Sequence, residues 1–161
     1  MHVLGKITEF LSAKLKIGGA LCLVGMSLLT CADVIGRFFQ HPIFGSVELV
    51  SLMGVLAAAA ALPYTHASRG HIGVELFVRR MPARRQALVD MCTGTVSFLF
   101  FLIVAWRMAL YALSLKDAGE VSMNLELPEY LVVFAVAGCF LVLSAVIIKG
   151  VIEAFDRYRS K

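Results

Sequence analysis

The sequence predicts an all-α integral membrane protein of four transmembrane helices with both termini in the cytoplasm. Three observations predict it. Of the 161 residues, 60% are hydrophobic and 16% are charged, where a soluble domain carries about 25% charge. Four stretches of near-continuous apolar character are each just long enough to cross a hydrocarbon core of about 30 Å. Lys and Arg also fall almost wholly on one side of the resulting four-span arrangement. A soluble fold of this size leaves too much surface in water to hide such a composition. Intrinsic disorder and a disulfide-stapled secreted domain are excluded by the same figures. Four spans use about 80 residues, so the chain is read as one membrane domain, 1–161, without room for a separate soluble catalytic domain.

The first span is expected over 17–36. Residues 17–32 carry no charge, and Asp33 follows about one turn before the end. Lys14 and Lys16 ahead of this run resemble the start of a secretory signal. Thr30 before Cys31 fits a lipoprotein processing site poorly, so the segment is expected to persist as a span. A short outer loop, 37–45, contains the turn formers Pro42 and Gly45. The second span, 46–66, has Glu48 near its start and Pro63 near its end. The inner loop, 67–86, mixes five Arg with Ile72, Val74, Leu76, Phe77 and Val78. It reads equally as an interfacial segment with its apolar groups in lipid and as a compact basic turn. The third span, 87–106, is expected to carry Asp90 in its first turn. The outer loop 108–129 is acidic, with Asp117, Glu120, Glu126 and Glu129 against Lys116. The fourth span, 130–148, has no charged residue. All four should be helices, because a lone strand in lipid leaves its backbone polar groups unpaired. The alternation of a membrane barrel is missing.

Orientation follows from the cations. Lys6, Lys14 and Lys16 in the N-terminal arm, the five Arg of the inner loop, and Lys149, Arg157, Arg159 and Lys161 in the tail share one side. Arg37, Arg107 and Lys116 lie on the other. The positive-inside rule puts the larger set in the cytoplasm. The net charge of +4 then reflects topology and contact with membrane lipids, with no call for nucleic acid.

A transporter that works alone needs ionisable groups or unwound helix near mid-bilayer. Here Asp33, Glu48 and Asp90 are all expected at helix ends, Glu48 and Asp90 where the helix dipole favours a carboxylate. Asp33 and Arg37 are four residues apart and can pair along one helix face. Glu48 is expected to join Arg37 across the hairpin. Haem ligation would require His residues facing each other from different spans, and His2, His41, His66 and His71 are not so placed. Cys22, Cys31, Cys92 and Cys139 lie inside apolar stretches without metal-binding spacing. No nucleophile elbow, phosphate loop or Ser, His and acid set is present. The chain is therefore expected to be no enzyme and to hold no cofactor. The alanines at 57–61, Thr93 with Ser97, and Gly138 are small-residue faces suited to helix packing, either within the bundle or against another protein.

These residues form an ordered pattern: Asp33-Val34-Ile35-Gly36-Arg37-Phe38-Phe39, then Pro42-Ile43, then Gly45-Ser46-Val47-Glu48-Leu49, and after span two His71-Ile72-Gly73-Val74-Glu75. The pattern resembles the small membrane subunit, the DctQ type, of tripartite ATP-independent periplasmic (TRAP) transporters. The likeness covers the whole chain in length and span count and is sequence-specific over about 33–82. It implies a subunit of the bacterial inner membrane that scaffolds a large multi-span permease subunit. That partner would carry sodium and an organic acid, the latter delivered by a periplasmic substrate-binding protein. By the same resemblance Asp33, Arg37, Glu48 and His71 are structural or partner-interface candidates. Glu120 and Glu126 are candidates for docking at the outer loop. Two other readings remain: an assembly or anchor subunit of another membrane complex, and a self-sufficient four-span transporter.

Overall fold

The computed structural model describes residues 2–68 and 83–159. They form four helices: α1 His2–Phe38, α2 Ser46–Ala67, α3 Ala83–Ala118 and α4 Glu129–Arg159. All four are long and apolar enough to cross a membrane. Among the described residues there is no strand, only an isolated bridge between Val121 and Pro128. The ends of the expected inner loop are helical, 67 in α2 and 83–86 in α3, while its middle, 69–82, and His71 with it fall outside the described residues.

Three helices extend well past the apolar stretches. At 37 residues, α1 is about 55 Å long, so the N-terminal arm with its lysines continues the same helix. α3 begins at Ala83, which corrects the expected position of Asp90. That residue lies two turns into the helix, beyond the reach of the N-terminal dipole. Hydropathy could not show this, because a helix leaving the apolar core loses its apolar residues without losing its backbone hydrogen bonds.

Successive helices alternate in direction, so that α2 and α4 run the same way, and α4 is the hub. It packs most extensively along α3, next on α2, and touches α1; α2 in turn packs along α1. The core lies where the alanines of α2 meet α4. Ala59, Ala60, Val136 and Cys139 are buried there, with Leu15 of α1 and Met108 of α3 packed against them. Small residues make this approach possible. A methyl added at Gly19 of α1 would lie 3.2 Å from the Ala57 carbonyl oxygen and 3.3 Å from Ala60 Cβ. Gly94 of α3 faces Val151 of α4, and Phe101 stacks on Phe140 with centroids 5.9 Å apart. The other small faces are not used this way: Thr93 is exposed, and nothing stands within 4 Å of a methyl added at Gly138.

Exposed hydroxyls are satisfied within their own helices. Those of Ser27, Thr30, Ser51, Thr65, Thr93 and Thr95 each donate to the carbonyl four residues earlier at 2.6–3.0 Å. Such a helix can face lipid without an orphaned donor.

Two helix ends are closed by the same device. At the end of α1 the Gln40 amide donates to Arg37 O and the His41 amide to Gly36 O, at 3.1 and 2.8 Å, with Gln40 in the left-handed region at φ 61°. At the end of α3 the Gly119 amide donates to Lys116 O and the Glu120 amide to Leu115 O, at 3.2 and 3.1 Å, with Gly119 at φ 66°. Both are Schellman closures, which satisfy carbonyls that the helix leaves open. Pro42 then prevents the chain from resuming the helix.

Candidate functional site

The polar residues that do not face solvent freely gather at the two ends of the bundle. At the end holding the α1–α2 and α3–α4 loops, Asp33 is the organising group of the α1–α2 turn. It is 7% exposed. Its Oδ2 accepts from Arg37 Nε at 2.8 Å, and its Oδ1 accepts from the Ile43 backbone amide at 2.9 Å. Buried Ser46 lies beside the same carboxylate. One helical side chain thus holds its own neighbour one turn on and the far side of the turn. The Asp33–Arg37 pairing follows from i, i+4 spacing, and the Arg37 side chain remains 57% exposed.

Glu48 does not join Arg37, as the hairpin geometry had led us to expect. From the first turn of α2, its Oε2 accepts the backbone amides of Asn124 and Leu125, each at 3.2 Å, and Ser122 lies beside it. The physical reason is competition for donors. Arg37 is already engaged by Asp33, whereas the α3–α4 loop offers two adjacent amides that no helix or strand consumes. The loop is shaped to present them. The Ser122 amide donates to Leu127 O at 2.9 Å, and the Leu127 amide donates to Ser122 Oγ at 3.0 Å. Leu125 then lies over Gly45, the left-handed residue at φ 72° that precedes α2. Asp33 therefore ties α1 to α2, and Glu48 ties α2 to the loop between α3 and α4.

At the opposite end, Lys149 of α4 donates to Glu9 Oε1 of α1 at 2.8 Å, and lies 4.0 Å from Glu153. Between the two ends the sequence is uncharged over 17–32, 49–65, 91–106 and 130–148. Among the described residues no group of three or more His, Cys, Asp or Glu converges as a metal site would require.

Glu120 and Glu126 are both exposed on the α3–α4 loop, with Glu126 at φ 51°. The site residues not foreseen are Gly45, Ser122, Leu125, Glu9 and Lys149. Only Gly45 carried a signal, as a turn former directly ahead of the Ser46-Val47-Glu48 helix start.

A family model described as "Tripartite ATP-independent periplasmic transporters, DctQ component" matches residues 26–157. The chain belongs to the DctQ family. It is thus a small TRAP transporter permease subunit, of a transporter-component family and a multi-pass membrane protein. No curated protein and no solved structure matches it. The DctQ match contains Asp33, Arg37, Glu48 and the loop that Glu48 holds, together with His71. It begins beyond Glu9, Lys14 and Lys16, so the first turns of α1 lie outside the part matched to the family.

Proposed function

We propose that this DctQ subunit is the non-catalytic scaffold of a TRAP-type secondary transporter. It holds a large subunit that translocates sodium and an organic acid, and a periplasmic binding protein delivers that acid. It sits in a bacterial inner membrane with both termini in the cytoplasm, as the distribution of Lys and Arg suggests. The observation that carries this reading is the placement of charge. Coupled transport needs ligands for ions near mid-bilayer, and the four apolar stretches supply no ionisable side chain there other than Cys and Tyr. The carboxylates Asp33, Glu48 and Glu9 instead lock helix to helix and helix to loop at the two ends. Such an arrangement favours a stiff body over a moving one. In this reading Asp33, Arg37, Glu48 and His71 shape the surface that the large subunit meets, and α3, packed chiefly on α4 and otherwise open, offers it a long apolar face. Glu120 and Glu126 face the binding protein.

The test is uptake of a panel of labelled organic acids by cells that keep the large subunit and the binding protein but lack this chain. Uptake of one acid class should vanish and return with the parent sequence. Sodium-coupled uptake of undiminished rate without the chain would refute the scaffold role. Uptake by the chain alone would favour the self-sufficient transporter instead.

A further inference from the structure

The lysines of the termini end are used in two ways. Lys149 is engaged by carboxylates. Lys16 has no carboxylate within ion-pairing distance among the described residues. Its Nζ stands over the ring of Tyr64, 3.9 Å from the centroid, at the seam where the start of α1 meets the end of α2. An ammonium on an aromatic face is oriented but keeps its full charge. Lys16 is also the last cation before the uncharged stretch 17–32, which places it where hydrocarbon gives way to headgroups. Ala20 and Leu23, one and two turns on along the same face of α1, are exposed. The corner therefore combines a cation that meets no carboxylate among the described residues, a partly exposed Tyr and an apolar track leading into the bilayer. Lys14, two residues earlier and so on another face of α1, stands over a different aromatic ring, that of Phe10 at 5.4 Å.

We propose that the Lys16–Tyr64 corner is a seat for an anionic phospholipid, with the headgroup phosphate on the Lys16 ammonium and an acyl chain along Ala20 and Leu23. Charge complementarity selects the occupant. A zwitterionic lipid brings its own cation to the phosphate, while an anionic one supplies the negative charge that no described residue gives this cation. Lys16, Ala20 and Leu23 lie outside the part matched to the family, and Tyr64 lies within it.

The experiment uses the full chain, with any subunit that copurifies, in nanodiscs of equal phosphatidylglycerol and phosphatidylcholine. Mild detergent extraction and native mass spectrometry then read which lipid stays bound. The parent should retain phosphatidylglycerol over phosphatidylcholine. Lys16→Gln should weaken that preference about five-fold, the effect of one cation at a membrane surface. Lys16→Arg should keep it, which guards against a folding defect. Lys116→Gln, the same charge change at the other end, should leave it as in the parent. Equal retention of the two lipids by the parent would overturn the proposal. So would a Lys16→Gln preference matching the parent, or a cross-link joining Lys16 to an acidic side chain of a copurifying protein.

Discussion

Replacing Gly45 with Ala tests the joint between the two helical hairpins. Two costs arise there. At φ 72° the new Cβ crowds the backbone, at about 1–2 kcal/mol for a left-handed residue. The added methyl would also lie 2.5 Å from Leu125 Cγ and 2.7 Å from each of its Cδ atoms. Three close atoms of one side chain cannot be cleared by rotating its tip, so Leu125 must leave its seat, at about 1–3 kcal/mol for overpacking. Loss of unfolded-state freedom returns about 0.4–1 kcal/mol. Gly119 provides the reference. It has φ 66° and nothing within 4 Å of an added methyl, so Gly119→Ala meets the backbone cost alone. Gly45→Ala should therefore destabilise by about 1–3 kcal/mol more than Gly119→Ala. The assay is equilibrium unfolding of both variants by SDS titration in mixed micelles. Leu125→Ala should remove much of the excess, so that the two substitutions are strongly non-additive. Equal costs at Gly45 and Gly119, or simple additivity with Leu125→Ala, would refute the packing of Leu125 on Gly45.

Other consequences follow from the same contacts. Glu48→Gln replaces one carboxylate oxygen by a donor, and hydrogen exchange at the Asn124 and Leu125 amides should accelerate while exchange in mid-α2 stays unchanged. Glu9→Lys and Lys149→Glu should each lower the melting temperature slightly, and the charge-swapped double variant should recover most of the loss. Glu9 is exposed and Lys149 partly so, so the effect should shrink as salt is raised. Neutralising Glu120 and Glu126 together should change the binding-protein concentration needed for half-maximal uptake, and kinetics unaltered over a range of concentrations would argue against docking there.

The parts that could be read from the chain were those whose physics is local. The apolar stretches announce themselves because lipid tolerates little else. The Asp33–Arg37 pair follows from helical spacing alone. The partners of Glu48 were hidden because Asn124 and Leu125 are 76 and 77 residues away and donate to it through backbone amides, which every residue but proline carries. Arg37 looked like the better partner only because its charge is visible in the sequence. Glu9 and Lys149, 140 residues apart, gave no local sign of each other. Hydropathy marks only part of α1, α3 and α4 for a different reason. Hydropathy marks where the bilayer ends, whereas a helix ends where a closure such as that at Gln40 or Gly119 stops it. At its other end α3 begins at Ala83, before the apolar stretch does, which puts Asp90 in the helix interior.

The central claim is that this chain works by holding a partner. A tagged copy, extracted from its native membrane in mild detergent, should bring with it a much larger multi-span protein in fixed stoichiometry. Arg37→Ala or Glu48→Ala should lower the yield of that complex. A stable homodimer with nothing else attached would contradict the scaffold account.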